Sequence, residues 1–262
     1  MNEKRRYPKA PAAPVEEIEG QLEGRNALTE ALRSGRTIDK VFIASGETDR
    51  ALQRLAAQAK EAGAVVVPVD RRKLDAMSTT HAHQGVITLA AAHEYSTIDD
   101  ILEEAAQRGE NALIVICDEL TDPHNLGAIM RSAECAGAHG VIIPKRRSVG
   151  LTATVAKASA GAVEYMKVAR VNNINNAIAE LKEKGVWVFG TAAEGSIPMY
   201  KADLTGPAAI VIGNEGDGMS ALVRKNCDVM VHIPMKGRIS SLNASAAASI
   251  LLYEAVRQRL NG

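Results

Sequence analysis

Apolar and polar positions along the chain fall into blocks that switch between a helical and a strand period. Ala27, Leu28, Ala31 and Leu32 recur at helical spacing, and Lys40-Val41-Phe42-Ile43-Ala44 reads as a strand. A helix is predicted over 51–62, with Gly63 as its C-cap. Ala64-Val65-Val66-Val67-Pro68 is a short buried strand, a helix follows near 72–77, and Val86-Ile87-Thr88-Leu89 is another strand. These blocks make a small α/β unit. Residues 93–110 read as a connecting segment carrying one helix, with Ile98, Ile101, Leu102 and Ala105 on one face. A second α/β unit follows, with strands predicted at 112–117, 140–143, 186–190, 208–212 and 229–233. Its helices are predicted near 126–136, 152–159, 173–184, 219–225 and 243–260. Strands that are continuous apolar runs, separated by helices, indicate a mostly parallel sheet covered on both faces. The resulting layout is a disordered, Pro-rich and basic arm (1–18), a first domain (19–92), a linker (93–110) and a second domain (111–262).

Composition narrows the classes. Hydrophobic residues make up 46% of the 262 positions, enough for full cores, but aromatics are only 3%, so the cores must be aliphatic. That scarcity argues against an aromatic stacking platform for single-stranded RNA. Formal net charge is zero, so charge alone does not point to nucleic acid. Local basic clusters remain at Lys4-Arg5-Arg6, Arg71-Arg72-Lys73 and Lys145-Arg146-Arg147, each of which by itself reads as solvated surface. Cys117, Cys135 and Cys227 are an odd, sparse set, which argues for a reducing compartment and against a disulfide framework. Cys117 ends an apolar run and Cys135 falls on an apolar helix face, so both are expected to be buried and unreactive. No Cys/His cluster predicts a metal site. No apolar run approaches the ~20 residues that span a bilayer. The basic N-terminus lacks the apolar stretch of a signal peptide, so a soluble, cytoplasmic protein is expected.

Three segments of the second domain carry candidate chemistry, each at the end of a predicted strand, where α/β proteins place ligands. The first runs from Asp118 through Asp122-Pro123-His124-Asn125 to Arg131. Asp122 and Asn125 also suit turn and capping roles. Arg131 lies among Ala128, Ile129 and Ala133, so a half-buried guanidinium is expected, in an internal salt bridge or on a phosphate. The second is the Gly-rich loop Gly213-Asn214-Glu215-Gly216-Asp217-Gly218. Its spacing is neither the dinucleotide fingerprint nor a P-loop, and alone it reads as a tight strand–helix turn. The third runs from Ile233-Pro234-Met235-Lys236-Gly237-Arg238 through Ser241-Leu242-Asn243 into an Ala-rich helix, which Ser241 or Asn243 could cap.

Together, in this order and at these separations, the segments resemble the SpoU family of RNA ribose 2′-O-methyltransferases, part of the wider SPOUT superfamily. The resemblance covers about 110–262, and 19–92 resembles the family's substrate-binding domain through Glu23-Gly24-Arg25-Asn26-Ala27 and His83-Gln84-Gly85-Val86. That domain is similar to small RNA-binding ribosomal proteins. Within the family, this two-domain layout is most similar to the enzymes that methylate a guanosine of large-subunit (23S) ribosomal RNA.

The resemblance implies a trefoil-knotted catalytic domain, a homodimer, and S-adenosylmethionine bound near Thr191, Ala192, Gly213, Asn214, Gly218, Ile233, Met235 and Leu242. It places Arg131 at the family's catalytic arginine, with Asn125, Glu215, Ser241 and Asn243 at the other polar positions. A guanidinium does not readily give up its proton, so a phosphate clamp that also stabilises the developing alkoxide suits Arg131 better than the role of base. Arg25, Lys145, Arg146, Arg147, Lys236 and Arg238 are the candidates for RNA phosphates. Rival readings are an antibiotic-resistance-type enzyme acting on an rRNA adenosine, a tRNA ribose methyltransferase, and a catalytically silent RNA-binding assembly factor. The missing Gly-x-Gly-x-x-Gly counts against a Rossmann-type oxidoreductase.

Overall fold

The periodic blocks condense into two compact units that divide between Ala90 and Ala91 in the computed structural model, which describes residues 20–46, 49–192, 196–214, 216 and 218–261. The N-terminal arm and Glu215 lie outside the described residues.

In the first unit β1 (Gln21–Glu23), β2 (Ile38–Ala44), β3 (Val65–Val69) and β4 (Val86–Ala90) form a sheet in the order β1-β4-β2-β3. The central β4 is antiparallel to both neighbours, while β2 and β3 are parallel. Three helices cover it: α1 (Arg25–Arg33), α2 (Arg50–Glu61) and α3 (Arg71–Met77). Asp49 and Asp70 start α2 and α3 by accepting the Ala51 and Arg72 amides, which satisfies an otherwise orphaned helix donor in each case. Leu28, Leu52, Val41 and Val86 meet in one core; Leu74, Val69 and Ile87 meet in the other.

The loop before β4 hangs on one carboxylate. Glu23 accepts from the Ser78 hydroxyl at 2.6 Å, the Thr79 amide at 2.7 Å and the Thr80 hydroxyl. Partial burial alone would raise its pKa, but these donors outweigh it and hold the carboxyl far below the usual range.

The second unit is built on β5 (Leu113–Cys117), β6 (Gly140–Pro144), β7 (Lys167–Val171), β8 (Trp187–Thr191), β9 (Ile197–Pro198), β10 (Ala208–Ile212) and β11 (Val229–His232). Their order is β7-β6-β5-β10-β8-β11-β9, and every pairing is parallel. Six helices, α4 (Ile98–Arg108), α5 (Pro123–Cys135), α6 (Ala153–Ala158), α7 (Ile174–Glu183), α8 (Ala221–Asn226) and α9 (Ala244–Asn261), cover the two faces. Strand alternation sorts them. Leu113, Val115 and Cys117 of β5 face a core shared with Leu126 and Met130 of α5, Val155 of α6 and Leu251 of α9. Ile114 and Ile116 face the other core, with Ile101 of α4, Ile178 of α7 and Val223 of α8. Each such aliphatic side chain, fully buried, contributes about 1.5–3 kcal/mol.

The segment read as a linker therefore carries a working layer of the second unit: α4 buries Ile98, Ile101 and Ala105. It opens with a Thr97/Asp100 capping box and closes at Gly109, whose φ of 67° favours glycine. Helices α5 and α6 touch through Gly127. A Cβ there would lie 2.5 Å from the Ala158 Cβ and 2.8 Å from the Val155 carbonyl oxygen. At the amino edge of the sheet Arg259 donates to the carbonyls of Asn111, Ala112, Leu204 and Gly206, tying the far end of α9 to the starts of β5 and β10.

The Glu23 cluster makes a signed prediction. A carboxylate held below its ordinary value of 4.5 stabilises the fold above that pH and loses the contribution as pH falls through the folded-state value. In urea unfolding, the deficit of Glu23→Gln relative to wild type should be full near neutral pH and shrink below pH 4.5. A deficit independent of pH would show that the charge contributes nothing.

Candidate active site

The chain leaves β5 toward β6 on one side of the sheet and leaves β10 toward β11 on the other. This switch point opens a crevice at the carboxyl ends of the central strands, the usual ligand position in such folds. The first two candidate segments start there, and the third starts at the carboxyl end of β11.

The first segment follows β5. Asp122 caps α5 by accepting the His124 amide at 2.9 Å, and Pro123 occupies the first turn, where its missing N–H costs nothing. Asn125 is 6% exposed on the inner face. Arg131 differs from the expectation of a half-buried arginine: it is exposed. The reason is helical phase. Leu126, Ile129, Met130 and Ala133 take the core face of α5, and Arg131 falls on the outer stripe with His124 and Cys135. No ion-pair partner holds it among the described residues. The same phase corrects the expectation for Cys135, which is exposed, whereas Cys117 is buried. Cys227 is half-buried, and burial pushes its thiol up to about 11, with Asp228 adding to the shift. It is therefore an unreactive thiol near neutral pH.

The second segment is a loop folded back on itself. The Asn214 amide donates to the Gly218 carbonyl at 3.2 Å, and the Gly216 amide donates to the Asn214 side chain at 2.8 Å. Gly213 is required by this closure: a Cβ there would come within 2.4 Å of the Gly218 carbonyl carbon and the Met219 nitrogen.

The third segment ends at Asn243, which does two things at once. Its side-chain oxygen accepts the Ser245 and Ala246 amides at 2.9 and 3.3 Å and so caps α9, while its amide group donates to the Asn125 oxygen at 2.9 Å. This bond couples the start of α5 to the start of α9. One turn or two further on, the Ser132 and Ser249 hydroxyls meet at 2.7 Å across the same helix pair.

Between the second and third segments and the end of β8 lies a cavity of about 760 Å³. Thr191, Ala192, Gly213, Asn214, Gly218, Ile233, Met235 and Leu242, the residues expected to hold a cofactor, all border it. Arg238 and Ser241 border it too; Asn125, Arg131, Asn243 and Lys236 do not. Ile212, Val231 and Leu251 supply apolar wall, and the loops supply backbone polar groups. The Thr191 hydroxyl is committed to the Val211 carbonyl at 2.9 Å. His232 also borders the cavity and was not anticipated: its Nδ1 lies 2.9 Å from the Ser196 hydroxyl, which itself donates to the Ala192 carbonyl at 2.7 Å. A lone His at a strand end, 36 residues from its serine, leaves no readable signal.

Of the expected phosphate contacts, Lys145, Arg146 and Arg147 follow β6 at the same carboxyl edge, with Arg147 paired to Glu119 at 3.1 Å. Lys236 and Arg238 are exposed on the third segment. Arg25, in the first unit, pairs with Asp49 and donates to the Gln84 carbonyl. A second cavity, of about 710 Å³, lies at the amino edge near Glu110, Thr205 and Arg259. It touches none of the three segments, and its arginine already donates to four backbone carbonyls. Among the described residues no cluster of His, Cys, Asp or Glu could hold a metal ion, and no helix is long and apolar enough to cross a membrane.

Comparison with known proteins matches residues 112–253 to the model of the SpoU rRNA Methylase family and residues 21–96 to that of RNA 2'-O ribose methyltransferase substrate binding. A protein of Bacillus subtilis (strain 168), YacO, named for the TrmH family of tRNA/rRNA methyltransferases, is 47% identical over 90% of this chain and 94% of its own length. A Staphylococcus haemolyticus protein with the same family name is 46% identical over the same shares. Among solved structures, the SpoU methyltransferase AviRb from Streptomyces viridochromogenes, in complex with AdoMet, aligns with a TM-score of 0.60 at 27% identity, covering 92% of this chain and 91% of that one. An AdoMet-bound rRNA methyltransferase from Sinorhizobium meliloti aligns with a TM-score of 0.56 at 26% identity, covering 90% and 86%.

Asn243→Ala should cost about 1–2 kcal/mol in urea unfolding, because it removes a helix cap and a donor from buried Asn125. Arg131→Ala, on the outer stripe of the same region, should stay within about 0.5 kcal/mol of wild type. A larger loss for Arg131→Ala would give that arginine a structural role.

Proposed function

We propose that this chain, which belongs to the SpoU rRNA methylase family, methylates the ribose of a guanosine in large-subunit ribosomal RNA. As a family member it is an S-adenosylmethionine-dependent enzyme that methylates RNA at a ribose 2′-oxygen. The finer reading rests on the two-domain layout, in which an RNA-substrate-binding domain precedes the methylase domain. A tRNA ribose is the alternative target, since the relatives are named for tRNA and rRNA alike.

The observation that carries the site assignment is the cavity at the carboxyl ends of β8, β10 and β11. Its volume lies within the range of about 300–1,000 Å³ usual for small-molecule sites. Its apolar walls suit an adenine ring, and the backbone groups around Gly213, Asn214 and Ala192 suit the ribose and the amino-acid tail. S-adenosylmethionine fits this lining and would be held by Thr191, Ala192, Gly213, Asn214, Gly218, Ile233, Met235 and Leu242. Bound there, it supplies a methyl group on a sulfonium, ready for in-line attack by an oxygen.

What remains for the protein is alignment and the proton. Arg131 is exposed, cationic and without a described ion-pair partner, so it can meet an RNA phosphate. It can also stabilise charge that develops on the 2′-oxygen. That role asks the guanidinium to donate hydrogen bonds, not to take up a proton. Asn125 and Asn243 fix the helix that carries it against the loop that borders the cavity. Ser241 lies at the rim, and Glu215 pairs with a basic group or accepts the proton. Lys145, Arg146, Arg147, Lys236 and Arg238 meet RNA phosphates, with Arg25 on the first unit. The enzyme works in the cytoplasm as a homodimer, in line with the exposed Met235, Ile239 and Leu242 on one loop and Tyr253 on α9. Its catalytic domain carries the family's trefoil knot.

Mass mapping of ribosomal and transfer RNA from a strain lacking the protein tests the target. Loss of one ribose methyl from a large-subunit guanosine is expected; loss from tRNA instead would overturn the reading. Arg131→Ala should lower methyl transfer by at least about 10²-fold while leaving S-adenosylmethionine affinity by calorimetry unchanged. RNA affinity should fall steeply with added salt, and a flat response would remove the proposed phosphate contacts.

A further inference from the structure

One residue outside the proposed catalytic and cofactor set holds the Gly-rich loop at both ends. Asp118 directly follows β5. Its backbone N–H donates to the Ile212 carbonyl at 2.8 Å, where the loop begins. Its side-chain Oδ2 accepts the Ser220 amide at 2.9 Å, where the loop ends. Asp118 is 4% exposed, so neither bond competes with bulk water.

The far anchor matters because α8 lacks a cap of its own. Ser220 is its N-cap residue, yet the serine side chain makes no capping hydrogen bond. The Asp118 oxygen instead accepts the amide of Ser220 itself, one of the orphan donors at the start of α8, from a position 102 residues earlier. Between the anchors the described residues are closely held. Asn214 bonds across to Gly218, Gly213 packs against the Gly218–Met219 peptide, and Gly218 has a φ of 70°. The backbone atoms that border the cavity at Gly213, Asn214, Gly216 and Gly218 therefore take their positions from the two anchors.

We propose that Asp118 is a positioning residue for methyl-donor binding: it sets the loop between Ile212 and Ser220 in the shape that receives S-adenosylmethionine, and touches neither donor nor RNA. The inference rests on the cofactor assignment of this cavity. Asp118→Ala leaves the Ser220 amide without an acceptor and frees the far end of the loop. Asp118→Asn keeps an oxygen at the same place and retains the anchor.

Calorimetry on the full-length protein, together with steady-state kinetics, tests this. Asp118→Ala should weaken S-adenosylmethionine binding about ten-fold and raise its KM in step, with kcat and the KM for RNA changed less than about two-fold. Asp118→Asn should recover most of the affinity. Unchanged affinity in Asp118→Ala, or an Asn variant as weak as the Ala variant, overturns the proposal. Should the Ala variant not fold, amide hydrogen exchange on the wild type reads the same bond. A protected Ser220 amide supports the anchor, and one exchanging as fast as the 235–243 loop defeats it. A wild type that binds no S-adenosylmethionine sinks the cofactor assignment itself, whereas a binding wild type with an equally competent Ala variant sinks this inference alone.

Discussion

The parallel ladder between β5 and β10 is the constraint from which the rest of the second unit follows. It runs in register from Leu113 opposite Ala208 to Cys117 opposite Ile212. Both strands are buried along their whole length, so each must be apolar throughout, and each ends abruptly where polar groups begin. Because the chain departs in opposite directions from these two ends, no helix covers the gap between them. The candidate cavity opens beside that gap, at the ends of β8, β10 and β11. The Asn125–Asn243 bond then joins the helix that follows β5 to the last helix of the unit, bringing residues 118 positions apart into hydrogen-bond contact at one edge.

How much of this was legible depended on whether the information was local. The central strands β5, β6 and β10 are unbroken aliphatic runs and read clearly, as did the helices that follow them. Strand β7 mixes Lys167 and Arg170 with valines at the sheet margin, β1 is three half-buried residues, and β9 is two. Edge strands with one partner need not be apolar on both faces, so their pattern dissolves into loop. The residues around the cavity were legible through motifs, because glycines and strand ends mark them. The partnerships were not. Gly213 looks like a residue that makes room for a ligand, whereas its own loop already forbids a side chain there. Arg131 was expected half-buried because its neighbours in sequence are apolar, yet on a helix the neighbours that matter are three and four residues away. Asp118 and Ser220, or His232 and Ser196, are pairs that only the fold brings together.

Electrostatics follow the same division. Zero net charge gave no hint of an RNA partner, but the basic residues are unevenly placed. Lys145, Arg146 and Arg147 sit at the carboxyl edge of the sheet, and Lys236 and Arg238 stand exposed on the loop beside the cavity. Elsewhere, charges are spent internally: Arg259 on four carbonyls, Arg25 on Asp49, Glu23 on three consecutive residues of one loop. A chain that is neutral as a whole can thus present one polarised edge. Of its three thiols, Cys117 is buried and burial pushes that of Cys227 up, while Cys135 stands exposed on the outer stripe of α5.

Helix α9 has a consequence for the order in which the molecule can become complete. It is 18 residues long, about 27 Å at 1.5 Å per residue. One end walls the cavity with Ala244, Ala247 and Leu251, and the other is stitched to the opposite edge of the sheet by Arg259. During synthesis the central strands and the Gly-rich loop emerge well before this helix. A nascent chain lacking α9 has a nearly finished sheet but a cavity open on one side. A small ligand cannot stabilise such an intermediate by binding, because stabilisation by mass action needs a formed site. A helix made after all seven strands of the unit is therefore the one that allows the ligand to contribute to folding at all.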